Sequence, residues 1–368
     1  MKITKVAFIG VGDISEIYLE NLTSLFKQIE IVGLCDLKRE KAEKAAKKYQ
    51  INKIYDNMTE VFLDSEVEIV LNLTRPNEHF EITKQALEAG KHVYSEKPLA
   101  ATKEEGEILI SLAKEMNLMI GGAPDTFLGA AIQTCRKLIE DDFIGTVVGC
   151  NAAMICRGHE SWHPDPAFYY QFGGGPMMDM GPYYLTAMVN LLGPITGVTS
   201  LSRTTYPTRT ITSNPKVGEE VVVEVPTYIS GILTFENGAI GNLLTTFDVV
   251  YQNQARFEIF GSKGTLIVPD PNFFGEKVYL LRPESEGLKE IPLLFDYQQN
   301  SRGLGLAEMA VALKSGRVPR ANMEQTFHVL DVLTAFQRSS DKKSYEAIHS
   351  PYSKTPIMEK AKVLGILE

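Results

Sequence analysis

Lys5-Val6-Ala7-Phe8-Ile9-Gly10-Val11-Gly12-Asp13-Ile14-Ser15 is the stretch from which the fold of this chain is read. Residues 5–9 form a short apolar run that reads as a strand. It runs straight into two glycines, and residues 14–27 then carry apolar side chains at helical spacing. A strand, a glycine turn and a helix in this order have a specific chemistry. Gly10 permits the tight turn, and Gly12 lets the backbone approach a pyrophosphate. The third position must be small so that helix and strand can pack. Here that position is Ser15, which is small but departs from Gly or Ala. The helix start, with Asp13 and Ile14, then offers unpaired N–H groups to phosphate oxygens. Gly10, Gly12, Asp13 and Ile14 are therefore candidate cofactor-binding residues.

Outward from this stretch the strand–helix alternation continues. Strands are predicted over 30–34, 69–73, 92–94 and 118–120, the last ended by Gly121-Gly122. Helices are predicted over 38–49, 79–89 (closed by Gly90) and 103–116. This pattern predicts an α/β domain with a doubly wound parallel sheet, a Rossmann domain, over residues 1–122. Beyond Gly121-Gly122-Ala123-Pro124 the pattern changes. A helix is expected over 127–140, then strands rich in Val, Ile, Phe and Thr over 146–157, 221–235, 239–248, 255–260 and 265–268. Asn237-Gly238 and Lys263-Gly264 read as hairpin turns, and residues 304–314 and 323–337 as helices. Residues 123–368 are thus expected to form an α+β domain. The polar loop 205–220, with Pro207 and Pro215, receives no role.

Composition bounds the function. The 368 residues are 44% hydrophobic and 23% charged, ordinary for a globular protein of two domains. Lys and Arg number 37 against 46 Asp and Glu, a net charge of −9, which argues against a broad nucleic-acid footprint. The four cysteines (Cys35, Cys135, Cys150, Cys156) are scattered and show no CxxC spacing. Neither a disulfide framework nor a structural zinc site is expected. The N-terminal apolar run is too short for a signal peptide, and no apolar stretch reaches the ~18 residues of a membrane span. The expectation is a cytoplasmic protein with no membrane or nucleic-acid partner and no metal.

Asp36 stands at the end of the second strand, where a carboxylate accepts hydrogen bonds from ribose hydroxyls and repels a 2′-phosphate. It can also cap the following helix, and the two roles are compatible. NAD is the expected cofactor. Lys38 and Arg39 leave NADP open, since either can accept a 2′-phosphate. Glu96-Lys97-Pro98 follows the strand 92–94, at the carboxyl end of the sheet where ligands bind. Taken alone, Lys97 reads as a surface lysine at a loop. Buried beside a cationic nicotinamide it becomes a usable acid/base group. Gly173-Gly174-Gly175-Pro176 opens a second constellation, and Gly193-Pro194 stops it. A helix between them sets Asp179 and Tyr183 one turn apart on one face. A carboxylate and a phenol there can orient and deprotonate a hydroxyl. Pro182 argues for a kink or for a helix that restarts at that residue. The segment 157–166 holds the single Trp162 and two of the six histidines, His159 and His163. Trp faces stack on sugar C–H surfaces, and His and Asp bind hydroxyls. His159, Trp162 and His163 are thus candidates for a substrate pocket, as is Asp125 at the start of the second domain. An ordered surface loop is the plainer reading of 157–166.

Four segments, GVGDIS (10–15), TRPNEH (74–79), AGKHVYSEKPLA (89–100) and GGGPMMDMGPYYL (173–185), occur in this order. Together the chain resembles the glucose–fructose oxidoreductase / inositol dehydrogenase family (Gfo/Idh/MocA) over nearly its whole length. The resemblance implies a Rossmann domain and a C-terminal α+β domain with a large open, mostly antiparallel sheet that forms a homodimer or homotetramer interface. It implies cofactor contacts from Thr74, Asn77, His79, Glu96 and Lys97. It also implies that Lys97 touches the reacting hydroxyl and that the Lys97–Pro98 bond is cis. Many members carry His four residues after Asp; here Tyr183 stands in that place, as in sugar-oxidising members. The expected activity is NAD-dependent hydride transfer from a sugar, inositol or related polyol. Lys97 and Tyr183 would manage the hydroxyl proton and Asp179 would orient it. With a tyrosine base, activity leans alkaline; a break near the ordinary histidine pKa of ~6.5 would point to His159 or His163 instead. The alternatives are a redox-neutral NAD-dependent glycosidase, a hydride-swapping enzyme that retains its nucleotide, and a non-catalytic sugar or dinucleotide sensor.

Overall fold

A computed structural model describes residues 3–250 and 257–367. Strand β1 (Thr4–Ile9) leads into α1 (Ser15–Ser24), β2 (Ile29–Cys35), α2 (Arg39–Tyr49), α3 (Met58–Leu63), β3 (Ile69–Asn72), α4 (His79–Glu88), β4 (His92–Ser95), α5 (Lys103–Glu115) and β5 (Ile120–Gly122). The five strands form one parallel sheet in the order β2-β1-β3-β4-β5, the doubly wound sheet expected from the glycine stretch. Ile9 pairs with Cys35 on one side and Asn72 on the other, so three strands finish level. The glycine loop, Asp36 and the 73–78 segment all leave from that carboxyl edge, where this architecture binds ligands.

Local chemistry explains most boundaries. Thr102 and Glu105 form a capping box at the start of α5. α3 is not anticipated in the sequence reading, although its cap is visible there: the Asn57 Oδ1 accepts from the Glu60 N–H at 3.2 Å. Gly121 and Gly122 lie within β5 rather than after it. A Cβ on Gly121 would stand 2.8 Å from Tyr94 and Met309, and one on Gly122 2.7 Å from Thr326, so these glycines serve close packing.

After a 3-10 turn at Thr126–Leu128 the chain forms α6 (Ala130–Glu140), β6 (Val147–Ile155), a second 3-10 turn at Pro166–Tyr170, and α7 (Gly175–Leu192). Then follow β7 (Ile195–Arg203), β8 (Thr208–Thr210), β9 (Glu220–Val222), β10 (Tyr228–Phe235), β11 (Ile240–Thr246), β12 (Phe257–Gly261), β13 (Thr265–Val268), β14 (Val278–Leu281) and β15 (Lys289–Ile291). The last elements are α8 (Leu304–Ser315), α9 (Met323–Lys342) and β16 (Glu346–Ala347). Nine strands make one sheet in the order β15-β14-β13-β12-β6-β11-β10-β7-β16. Every pairing in it is antiparallel except β6 with β11.

Several expectations are corrected here. The helix expected over 127–140 is a 3-10 turn and α6, separated by Gly129. The strand expected over 221–235 is two strands, interrupted around Pro226, which has no N–H for a ladder. β7, β8, β14, β15 and β16 are additions. Of the strand expected over 255–260, Ala255 and Arg256 lie outside the described residues and the rest is β12. α7 runs unbroken through Pro182, so no restart occurs there. The polar loop 205–220 holds the β8–β9 ribbon.

The chain divides into two compact units. One comprises the chain up to Ala130, the stretch Phe295–Phe327 and the segment from Met358; the other comprises Ala131–Leu294 and His328–Ile357. Among the described residues no helix is long and apolar enough to cross a membrane, and no group of three or more His, Cys, Asp and Glu is placed to hold a metal ion.

Candidate active site

The nucleotide side is built on the carboxyl edge of the parallel sheet. Gly10 has φ +96°, and a Cβ on it would lie 2.7 Å from the Leu73 carbonyl oxygen, so both conformation and space demand glycine. Gly12 is different: a Cβ there would meet nothing within 4 Å. The open space over Gly12 is a cradle a pyrophosphate fits. The Ser15 hydroxyl donates to the Gly12 carbonyl at 2.6 Å, which fixes the first turn of α1 and accounts for serine at the third small position. The Asp36 carboxylate accepts the Val11 N–H at 2.7 Å on one oxygen and the Lys38 N–H at 2.7 Å on the other. It braces the glycine loop at the carboxyl edge of the sheet. Asp13 is exposed and Ile14 is the N-cap residue of α1.

His79 and the Glu96-Lys97-Pro98 segment form a second cluster in the same unit. The Lys97–Pro98 bond is cis, as the resemblance implies. His79 is 1% exposed, with Nδ1 2.7 Å from the Pro98 carbonyl oxygen and Nε2 3.1 Å from that of Thr74. Burial holds its pKa below the ordinary histidine value. Both ring nitrogens face backbone carbonyl oxygens, which accept from whichever carries a proton. His79 thus joins the 74–79 segment to the lysine segment from below. The Thr74 hydroxyl donates to Asn72 Oδ1 at 2.7 Å, and Asn77 is exposed at the entry to α4. Glu96 is buried; it accepts the Tyr18 hydroxyl at 2.9 Å and the Lys97 N–H at 3.0 Å, so α1 and the lysine segment share one carboxylate. Burial and that carboxylate push the Tyr18 phenol well up, which keeps it a donor. Tyr18 carried no sequence signal beyond its place on the helix.

Asp125, a candidate substrate residue, is 1% exposed, and one carboxylate oxygen accepts the N–H groups of Gly303 and Gly305 at 2.9 and 3.0 Å. In this structure it holds the start of α8. Burial pushes its carboxyl up to about 6.

The second unit brings His159 and Asp179 together. His159 Nε2 lies 3.2 Å from Asp179 Oδ2, with the two side chains 12% and 17% exposed. The His159 ring packs against Tyr169 (centroids 4.0 Å apart), Phe247 (4.7 Å) and Trp162 (5.3 Å). Trp162 itself is 60% exposed. His163 touches Trp162 and Tyr169, and its Nδ1 accepts the Asp165 N–H at 3.0 Å. Tyr183, one turn beyond Asp179 on α7, is buried.

This wall is held from behind by a charge network absent from the sequence reading. Arg209, in the loop left without a role, donates to Glu160 Oε1 at 2.9 Å, to the Phe247 carbonyl at 3.1 Å and to Asp248. The Tyr170 hydroxyl donates to Glu160 Oε2 at 2.6 Å, and burial with this carboxylate pushes its phenol well up. A Cβ on Gly158 would lie 2.3 Å from both Glu160 and Tyr170, so glycine is required beside His159.

Comparison with known proteins places both parts of the chain in one family. Residues 4–122 match the model of the oxidoreductase family with an NAD-binding Rossmann fold, GFO/IDH/MocA, and residues 132–267 match the GFO/IDH/MocA C-terminal domain. A levoglucosan dehydrogenase from Pseudarthrobacter phenanthrenivorans is 26% identical over 246 residues, 62% of this chain and 62% of that protein, just under two thirds of its length. Myo-inositol 2-dehydrogenase from Thermotoga maritima is 22% identical over 342 residues, 92% of this chain and 97% of the relative. The fold matches a solved levoglucosan dehydrogenase in complex with NADH and levoglucosan at a TM-score of 0.82 and 20% identity, covering 94% of this chain and all of that one. The chain therefore belongs to the GFO/IDH/MocA family of oxidoreductases and carries that family's NAD-binding Rossmann domain and C-terminal domain.

Proposed function

We propose that this protein is an NAD-dependent dehydrogenase that oxidises a carbinol carbon of a sugar, inositol or related polyol. The observation that carries the substrate class is the Asp179–His159 pair set among aromatic rings. Carboxylate and imidazole hold hydroxyls, and ring faces cover the apolar C–H surface of a sugar. NAD, when bound, supplies the hydride acceptor. Gly12 and the start of α1 take its pyrophosphate, and Asp36 takes a ribose. Lys97, held through its backbone by Glu96, donates to the oxygen of the reacting hydroxyl, and Asp179 and Tyr183 orient that hydroxyl. Holding both reactants in place supplies much of the rate.

The outward face of the nine-stranded sheet carries Leu201, Ile232, Ile240, Phe260 and Leu281, all exposed, on β7, β10, β11, β12 and β14. We assign this face to a homodimer or homotetramer contact. Light scattering that gives the mass of a single chain would remove that assignment.

The activity is tested by mixing the protein with NAD and levoglucosan, myo-inositol, D-glucose or D-xylose and following NADH absorbance, with Lys97→Ala alongside. Turnover on one class, lost in the variant, supports the reading. Equal turnover in the variant, or none on any member, counts against it.

A further inference from the structure

We propose that His159, rather than Tyr183, accepts the proton of the substrate hydroxyl, with Asp179 as its fixed partner. This rests on the dehydrogenase reading above and names the proton acceptor within it.

An imidazole acts as a base when one nitrogen is anchored and the other is left for substrate. His159 has that form. Nε2 is 3.2 Å from Asp179 Oδ2, so the tautomer carries its proton there and donates it to the carboxylate. Among the described residues no protein group hydrogen-bonds to Nδ1. Tyr169, Phe247 and Trp162 fix the ring plane, and the His159 N–H lies 3.4 Å from the Tyr170 hydroxyl. The side chain is 12% exposed, so it is held but not sealed.

The step balances. The hydroxyl proton would pass to His159 Nδ1 as the C–O bond becomes C=O, and the carbinol hydrogen with its bonding electron pair would go to NAD+, the oxidant when bound. The imidazolium that results faces the Asp179 carboxylate, which stabilises it. A neutral imidazole offers a ring lone pair to the proton, whereas a neutral phenol must first give up its own. The groups that face His159 are few. α7 contributes Asp179. The 3-10 turn contributes Tyr169 and Tyr170, and the 157–163 segment contributes Glu160 and His163. Beyond Phe247 stands Asp248, paired with Arg209.

The test is a pH profile of kcat/KM, with NAD and whichever carbohydrate of the panel turns over, for the wild type, His159→Gln and Tyr183→Phe. NADH binding by fluorescence and the melting temperature serve as folding controls. The wild type is expected to lose activity on the acid side of a break, where its proton acceptor is already protonated. His159→Gln is expected to lose about 100-fold or more in kcat, and the break with it, while still binding NADH. Tyr183→Phe is expected to lower activity evenly and keep the break. A folded His159→Gln that keeps both rate and break overturns the proposal, and so does a break that vanishes with Tyr183→Phe alone. Should no carbohydrate reduce NAD in the wild type, the dehydrogenase reading itself has failed and this assignment falls with it. That outcome is distinct from a working wild type whose His159 variant is unaffected.

Discussion

The Val11 backbone N–H donates to Asp36 Oδ2 at 2.7 Å, so the carboxylate at the end of β2 is tied to the glycine loop itself. The carboxylate proposed to take a ribose hydroxyl therefore also fixes the glycine turn. Asp36→Asn keeps one acceptor and removes the charge. Its affinity for NAD is expected to fall about tenfold, on the scale of a hydrogen bond to a charged group. Its affinity for NADP is expected to rise, because a 2′-phosphate no longer meets a carboxylate and Lys38 and Arg39 stand close in the chain. Titration of both nucleotides by fluorescence decides this. Unchanged discrimination would mean that Asp36 acts only as a brace.

Gly12 separates binding from folding. A methyl group there touches no protein atom within 4 Å, whereas one on Gly10 strikes the Leu73 carbonyl. Gly12→Ala is expected to melt within a degree or two of the wild type and to bind NADH at least tenfold more weakly. Gly10→Ala is expected to lose stability as well. Comparing melting temperature with NADH affinity for the two variants checks the cradle directly. A Gly12→Ala protein that binds NADH normally would place the pyrophosphate elsewhere.

The N-terminal sheet was legible because its period and its punctuation agree. Short apolar runs, glycine turns and amphipathic helices alternate there, and the errors are small, as with α3. The second unit was read less well. β7 spells Ile-Thr-Gly-Val-Thr-Ser-Leu-Ser-Arg, whose outward positions are polar or lone apolar residues, so no apolar run announces it. Site residues followed the same division. Gly10, Gly12, Asp36 and Lys97 sit in local motifs, and the structure places them on the sheet edge that the motifs imply. The approach of His159 to Asp179 spans twenty residues of separation and depends on the turn at 166–170. Arg209 was invisible because a buried guanidinium is announced by its partners, and Glu160 and Asp248 are distant in sequence.

Asp125 carries a pH signature. Its carboxyl is raised from the ordinary range to about 6 by burial, against the help of two backbone N–H groups. A folded-state value above the unfolded one means that the group favours folding when protonated. That contribution is fully present below about pH 4 and is lost as pH rises through about 6. Its size is on the order of 3 kcal/mol. Asp125→Asn is neutral throughout and its amide oxygen can still accept from Gly303 and Gly305. Urea unfolding is expected to show the variant more stable than the wild type by about 1–3 kcal/mol at pH 7 and nearly equal to it at about pH 3.5. A variant of unchanged stability with a raised KM would instead return Asp125 to the substrate.

Arg209 pairs with two buried carboxylates, Glu160 and Asp248, and its guanidinium also lies over the Tyr170 and Tyr206 rings. Removing it leaves both carboxylates without their counter-charge, which costs more than the pair itself contributes. Arg209→Met is expected to destabilise the protein by about 3–5 kcal/mol in urea unfolding. Adding Glu160→Gln should recover part of that loss, since one of the stranded charges is gone, and the shortfall from additivity measures the coupling. The same lesion reaches the site. Phe247 presents its carbonyl to Arg209 and its ring to His159, so freeing the guanidinium loosens one wall of the imidazole. Arg209→Lys keeps the charge but has a single nitrogen in place of the fork that reaches Glu160, Phe247 and Asp248 together. It should fold better than the Met variant while still losing activity. Equal activity in the Lys variant and the wild type would confine Arg209 to stability alone.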